Sequence, residues 1–234
     1  MRLEVCVDSL GGLAAAVEGG ADRVELCAAL ALGGLTPSAG FMAEAAGCGV
    51  PVMAMIRPRA GDFVWSEADL RAMEADIAAA RSAGLSGVVL GASLPDGRLD
   101  ALALARLVRA ASGLDLTLHR CFDLVPDQAA ALETAVELGF QRVLTSGGAV
   151  TAVAGAEQIG ALVVQAAGRI AVMAGAGVTA ETAPALMALG VRELHGSCAD
   201  NVAVAGRIAE MGFGPDTERR TSVVRVRALK QAMG

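Results

Sequence analysis

Short aliphatic runs alternate with alanine-rich amphipathic stretches along the whole chain, with no linker or low-complexity segment between them. Apolar runs of four to eight residues read as buried strands, and longer stretches of helical period read as helices. Strands are predicted at 3–8, 23–27, 50–57 and 87–91, then at 114–119, 142–146, 169–174 and 191–196. The intervening helices have recognisable starts. Ser66 with Asp69 three positions on matches a capping box, Asp127 follows Pro126 before an alanine-rich stretch, and Thr179 opens another. Gly20, Gly84, Gly113, Gly139, Gly168 and Gly190 stand where helices should end.

Strands separated by one helix apiece run parallel, because each crossover returns the chain to the same end of the sheet. An unbroken series of about eight such units favours a closed barrel over an open doubly wound sheet. The open sheet would also bring a GxGxxG after the first strand, and Gly11-Gly12 lacks that spacing. The expected architecture is α/β, a single-domain (β/α)₈ TIM barrel spanning residues 1–234.

Composition narrows this picture. The chain is 54% hydrophobic and only 3% aromatic, so its core must be aliphatic. The most apolar stretch, 161–178, is broken by Gln165, Arg169 and glycines, short of a bilayer span. The N-terminal MRLEVCVDS reads as a strand and not a cleavable leader, which makes the cytoplasm the expected location and a membrane partner unexpected. A net charge of −6 argues against a nucleic-acid partner. The basic segment with Arg219, Arg220, Arg225, Arg227 and Lys230 is expected to form a solvated helix. Five cysteines fit neither a disulfide framework nor a CxxC zinc pattern and are expected to be free thiols.

Candidate chemistry gathers at the C-terminal ends of the strands, where barrel active sites lie. Side chains alternate faces along a strand, so Glu4, Cys6 and Asp8 share one face, as do Arg23, Glu25 and Cys27, and Met55 with Arg57. Facing inward, they would form a ring of carboxylates, guanidinium groups and imidazole. Glu4, Glu25 and Arg57 neutralising one another is the structural alternative. Under the catalytic reading, Glu25, Arg57, His119 and Asp123 carry the chemistry, with Arg57 and Arg59 clamping a small phosphorylated or carboxylated metabolite. Asp8, Arg120 and His195 would bind it as well. The turns Ser146-Gly147-Gly148 and Gly175-Ala176-Gly177 serve either as anion cradles or as tight turns only. Cys6 and Cys27, at equivalent heights on neighbouring strands, would bring two sulfurs within reach of a soft ion such as Cu(I), helped by Met55 or Cys121. Two core thiols packed side by side is the alternative. No organic cofactor is indicated, and the absence of GxSxG disfavours serine acyl transfer.

These residues carry a resemblance. Glu4-Val5-Cys6-Val7-Asp8-Ser9, Gly19 through Cys27, Gly33 through Ser38, Met55-Ile56-Arg57-Pro58-Arg59, Gly61-Asp62-Phe63, His119-Arg120, Phe122-Asp123 and Arg142 through Gly147 resemble the CutC family in order along nearly the whole chain. The resemblance implies a cytoplasmic barrel, a homo-oligomer with a dimer favoured, a role in copper homeostasis, and Cys6 and Cys27 as Cu(I) ligands. Ala60, Cys121, Ala174 and Ala176 depart from the family pattern. A methyl group at Ala176 would narrow the anion cradle after the seventh strand.

Overall fold

The computed structural model describes residues 1–204, 206–212 and 216–234. Eight parallel strands close into a barrel, β1 (Arg2–Val7), β2 (Arg23–Leu26), β3 (Val52–Met55), β4 (Gly87–Leu90), β5 (Asp115–Leu118), β6 (Arg142–Thr145), β7 (Ala171–Ala174) and β8 (Glu193–Gly196), with β8 returning to β1. Each falls within or one residue from a strand expected from the sequence. The expected (β/α)₈ architecture is therefore the observed one.

Between the strands run α1 (Leu10–Gly19), α2 (Ala39–Ala45), α3 (Glu67–Ser82), α4 (Ala101–Ala110), α5 (Gln128–Glu137), α6 (Ala156–Ala166) and α7 (Ala183–Met187). Ser66 and Asp69 close the predicted capping box on α3, and Asp127 caps α5. The third expected start lies three residues later: Thr182, not Thr179, precedes α7, and the two threonines bond one another in the turn. Gly20 ends α1 at φ 93°, a left-handed conformation that a Cβ would strain.

Alternation along the strands sorts side chains into two interiors. Leu3, Val5, Val7, Val24 and Leu26 face outward and join the main core beneath the helices. Facing inward, Cys27, Met53, Met55 and Val89 form a separate apolar cluster in the bore. The rest of the bore is polar. Arg23 bonds Glu4 through Nε and Glu193 through an Nη at 2.6 Å. Arg142 reaches Glu193 at 3.2 Å, Asp115 at 2.7 Å and Thr117 at 3.0 Å.

Beyond β8 the chain departs from expectation. An antiparallel hairpin of β9 (Ala199–Ala203) and β10 (Thr217–Thr221) rises beside the mouth, with α8 (Arg207–Glu210) in its connection, and α9 (Val223–Ala232) packs against α1. The predicted basic helix is thus half right. Arg219 and Arg220 lie on β10, and Arg225, Arg227 and Lys230 lie on α9. Threonines flank the β10 pair, and such β-branched residues suit a strand. Among the described residues no helix is long and apolar enough to cross a membrane.

Candidate functional site

The register between β1 and β2 decides what the mouth contains. Cys6 lies opposite Glu25, and the backbone of Cys27 meets Val7, so the two cysteines are staggered along the sheet and not level. Among the described residues, the group gathered closely enough to hold a metal ion is Cys6, Glu25 and His195, one donor atom from each within 4.8 Å of the others. The expected Cys6–Cys27 pair is corrected accordingly: among the described residues no cysteine pair is near enough to share an ion. Cys27 instead donates its thiol to Glu25 Oε2 at 3.5 Å, and burial and that carboxylate push the thiol well above its usual range. Cys121 is fully buried in the main core.

His195 reaches the cluster from β8, the other neighbour of β1. Its Nδ1 lies 2.8 Å from Glu4 Oε1, and its Nε2 lies 3.8 Å from Glu25 Oε2. A carboxylate behind one ring nitrogen orients the ring and raises the basicity of the other nitrogen. Burial opposes a charge on His195, but Cys6, Glu25 and Glu4 outweigh it and lift the imidazole well above its ordinary range. Burial likewise opposes ionisation of Glu4, and the His195 and Arg23 contacts overcome it, leaving a pKa of about 2. Glu25 meets His195 only at 3.8 Å, and burial raises it. Its Oε1 is buried without a hydrogen-bond partner.

A cavity of about 1060 Å³ stands over this cluster and includes Cys6, Asp8, Glu25, Arg57, His119 and Arg120 in its wall. Of the residues expected to share a cavity, Glu4 and Cys27 are not among those lining it. A second cavity of about 310 Å³ adjoins at Cys6, Arg120 and His195 and is walled by Gly177.

The remaining candidates divide by how much of their bonding capacity is already used. Arg57 donates to the carbonyls of Leu32, Gly34 and Gly61 at 2.8, 3.2 and 2.9 Å and lies over the Phe63 ring, so it fastens loops together. The expected neutralisation of Glu4 and Glu25 by Arg57 is replaced by Arg23 on Glu4. Arg59 bonds Asp62 at 2.9 Å and the Val64 carbonyl at 2.7 Å, stacks on Trp65, and lies away from the cavity wall, so no paired Arg57–Arg59 clamp forms. Asp8 accepts from the Leu30 amide at 3.0 Å.

Asp123 answers the question of the sixth-strand turn. Its carboxylate accepts from the amides of Ser146 at 3.0 Å and Gly148 at 3.1 Å, from Thr145 Oγ1 at 2.5 Å, and from Arg120 Nε at 2.6 Å. The glycine turn is an anion cradle, and the anion is the chain's own. Gly147 has φ 70° and stands where a Cβ would strike the Gly155 carbonyl, so the turn admits no side chain. Gly175 packs against Leu144 and His195. Ala176 adopts φ 75° despite its methyl group.

The sequence did not single out Glu4 as the partner of His195, nor the hairpin residues Arg219 and Arg220, which line the larger cavity. A carboxylate two residues before Cys6 on the same strand face was the signal for the first. The β-branched Thr217 and Thr221 flanking the pair were the signal for the second.

Comparison with known proteins agrees with this fold. The chain is 57% identical over 232 residues to the family protein CutC of Rhizobium meliloti, covering 98% of this chain and 95% of that one. It is 54% identical over 235 residues to the CutC protein of Caulobacter vibrioides, covering 99% and 96%. A solved structure from Streptococcus agalactiae, assigned by name to copper homeostasis as CutC, superposes with a TM-score of 0.81 at 37% identity, covering 84% of this chain and 98% of that one. With residues 1–200 also matching the pattern of the CutC family, the chain belongs to that family.

Proposed function

We propose that the barrel mouth binds one copper ion as cargo, through Cys6, His195 and Glu25, in the copper-homeostasis role that the family's name carries. The supporting observation is the convergence of three donors from three adjacent strands within 4.8 Å, with Glu4 behind the imidazole. One thiolate and one imidazole suit copper, and a carboxylate beside them also admits a borderline divalent ion such as zinc. An entering ion displaces the proton of His195, so binding releases protons and weakens as pH falls.

The test is competition against a chromophoric chelator under reducing, anaerobic conditions. Cys6→Ala and His195→Ala are expected to weaken Cu(I) binding by about 100-fold or more, and Glu4→Gln by roughly 10- to 100-fold. Cys27→Ala should cost at most about tenfold, because its thiol touches the ligand Glu25 and not the ion. Equal losses in Cys6→Ala and Cys27→Ala would restore the cysteine pair and end this reading. Zinc binding without copper binding would end the copper assignment.

A second reading, an enzyme acting on a small anionic metabolite, draws on the cavity's size and its arginines. A cytoplasmic homo-oligomer, a dimer by preference, is proposed alongside either reading, and light scattering of the purified chain checks it.

A further inference from the structure

The mouth holds a group that metal binding leaves unused. His119 follows β5, and its Nδ1 accepts from the Cys121 amide at 3.1 Å, which places the ring proton on Nε2. Burial and the nearby Arg57 hold this imidazole neutral, its pKa pushed down to about 3. Phe63 packs on the ring with centroids 4.7 Å apart. A Cβ at Gly91 would collide with the ring's other edge, so the position beside His119 has to be glycine. Orientation, tautomer and charge are thus all set by the surroundings.

Nε2–H nevertheless meets no acceptor among the described residues, although His119 is 4% exposed and lines the large cavity. A buried donor without an acceptor is costly, and in most folds a protein group, an ordered water or a ligand completes it. The cavity is far larger than one ion needs, and its volume matches pockets that take small organic molecules.

Chemistry selects among such molecules. Nε2 carries the proton and has no lone pair to offer, so the group facing it has to accept. A hydroxyl would bring a second hydrogen, and Phe63, the group packed on the ring, offers it no strong acceptor. A carbonyl oxygen brings none. A neutral N–H also polarises a carbonyl without protonating it. Toward solvent the wall carries Arg219, held by its bond to Ser197 Oγ at 2.7 Å, and Arg120, whose Nε and one Nη are on Asp123 and Ser146 and whose other Nη has no partner among the described residues.

We infer that this cavity takes a small carbonyl compound bearing a carboxylate or a phosphate, with the carbonyl oxygen on His119 Nε2–H and the anionic end toward Arg219 and Arg120. The cavity shares Cys6, Glu25 and His195 with the metal cluster, but neither ligand contact uses them, so the metal and carbonyl readings fail separately.

The experiment uses chelator-treated, metal-free protein and calorimetry with four probes: pyruvate and its alcohol counterpart lactate, dihydroxyacetone phosphate and its counterpart glycerol 3-phosphate. In each pair the carbonyl compound should bind at least about tenfold more tightly. The better pair identifies the anionic group. His119→Phe should bring the members of each pair within about twofold, while Arg219→Gln weakens all four and keeps the carbonyl preference. Nitrogen-15 NMR of histidine-labelled wild type reads the same contact without a mutation, and the Nε2–H signal should shift with pyruvate or dihydroxyacetone phosphate. No binding of any probe at 10 mM (roughly the weakest useful affinity), no carbonyl preference in wild type, a preference surviving His119→Phe, or an unmoved Nε2–H signal at saturation would each overturn the inference.

Discussion

The bore of this barrel has two polar layers that differ in one respect. In the lower layer Arg23 and Arg142 are shared among Glu4, Glu193 and Asp115, so each carboxylate there has a guanidinium partner, although Arg23 Nη1 is buried without an acceptor. In the upper layer Glu25 Oε1 and His119 Nε2 are buried without partners, and Cys6, Glu25 and His195 crowd together with no guanidinium among them. The first arrangement fills space and neutralises itself. The second is incomplete within the protein, and incompleteness is what a binding site requires. The same distinction separates Asp123, whose carboxylate is filled by loop amides, from His119.

The sharpest way to break this comparison is to remove a charge from the lower layer. Arg23→Met leaves Glu4 wholly buried without its main cation and should destabilise the fold by about 3–5 kcal/mol in urea denaturation. A loss under about 1 kcal/mol would mean that the lower layer is not structural.

Acid titration comes next. The folded pKa of Glu4, about 2, lies below the ordinary glutamate value of 4.5. A depressed carboxylate contributes stability that is present above the unfolded value and is lost as pH falls toward the folded one. Between pH 4.5 and 2 the chain should therefore lose up to about 3 kcal/mol from this group, and Glu4→Gln should flatten that part of the stability profile.

A smaller effect tests the internal anion cradle. Asp123→Asn removes the charge that gathers the Ser146 and Gly148 amides and Arg120, at a cost of about 1–3 kcal/mol by thermal melting. It should leave copper affinity within about twofold of wild type, because Asp123 is not in the metal cluster.

The smallest stability effect should come from the residue with the largest binding effect. Cys6→Ala at the cavity wall is expected to change stability by less than about 1 kcal/mol while losing the metal. If Cys6→Ala unfolded the chain as readily as Arg23→Met, the contrast between the layers would disappear.

Much of the fold was legible in the sequence because it rests on local periodicity. Eight apolar runs, capping residues such as Ser66 and Asp127, and glycines such as Gly20 each report their own backbone state. The β9–β10 hairpin was not legible as a strand pair, since a charged run such as Glu218-Arg219-Arg220 fits a solvated helix equally well until a partner strand pairs with it.

By itself the sequence determined a parallel barrel and the inward face of each strand, because alternation has a period of two and needs no knowledge of neighbours. Only the tertiary structure decided which inward residues meet. Barrel closure fixes the stagger between strands, and that stagger set Cys6 against Glu25 and His195, with Cys27 displaced along the sheet. Only the loops decided which charges remained free, since the carbonyls of Leu32, Gly34 and Gly61 took Arg57 and the amides of Ser146 and Gly148 took Asp123. Hydrogen-bond saturation is a property of neighbours distant in the chain, and no local pattern encodes it.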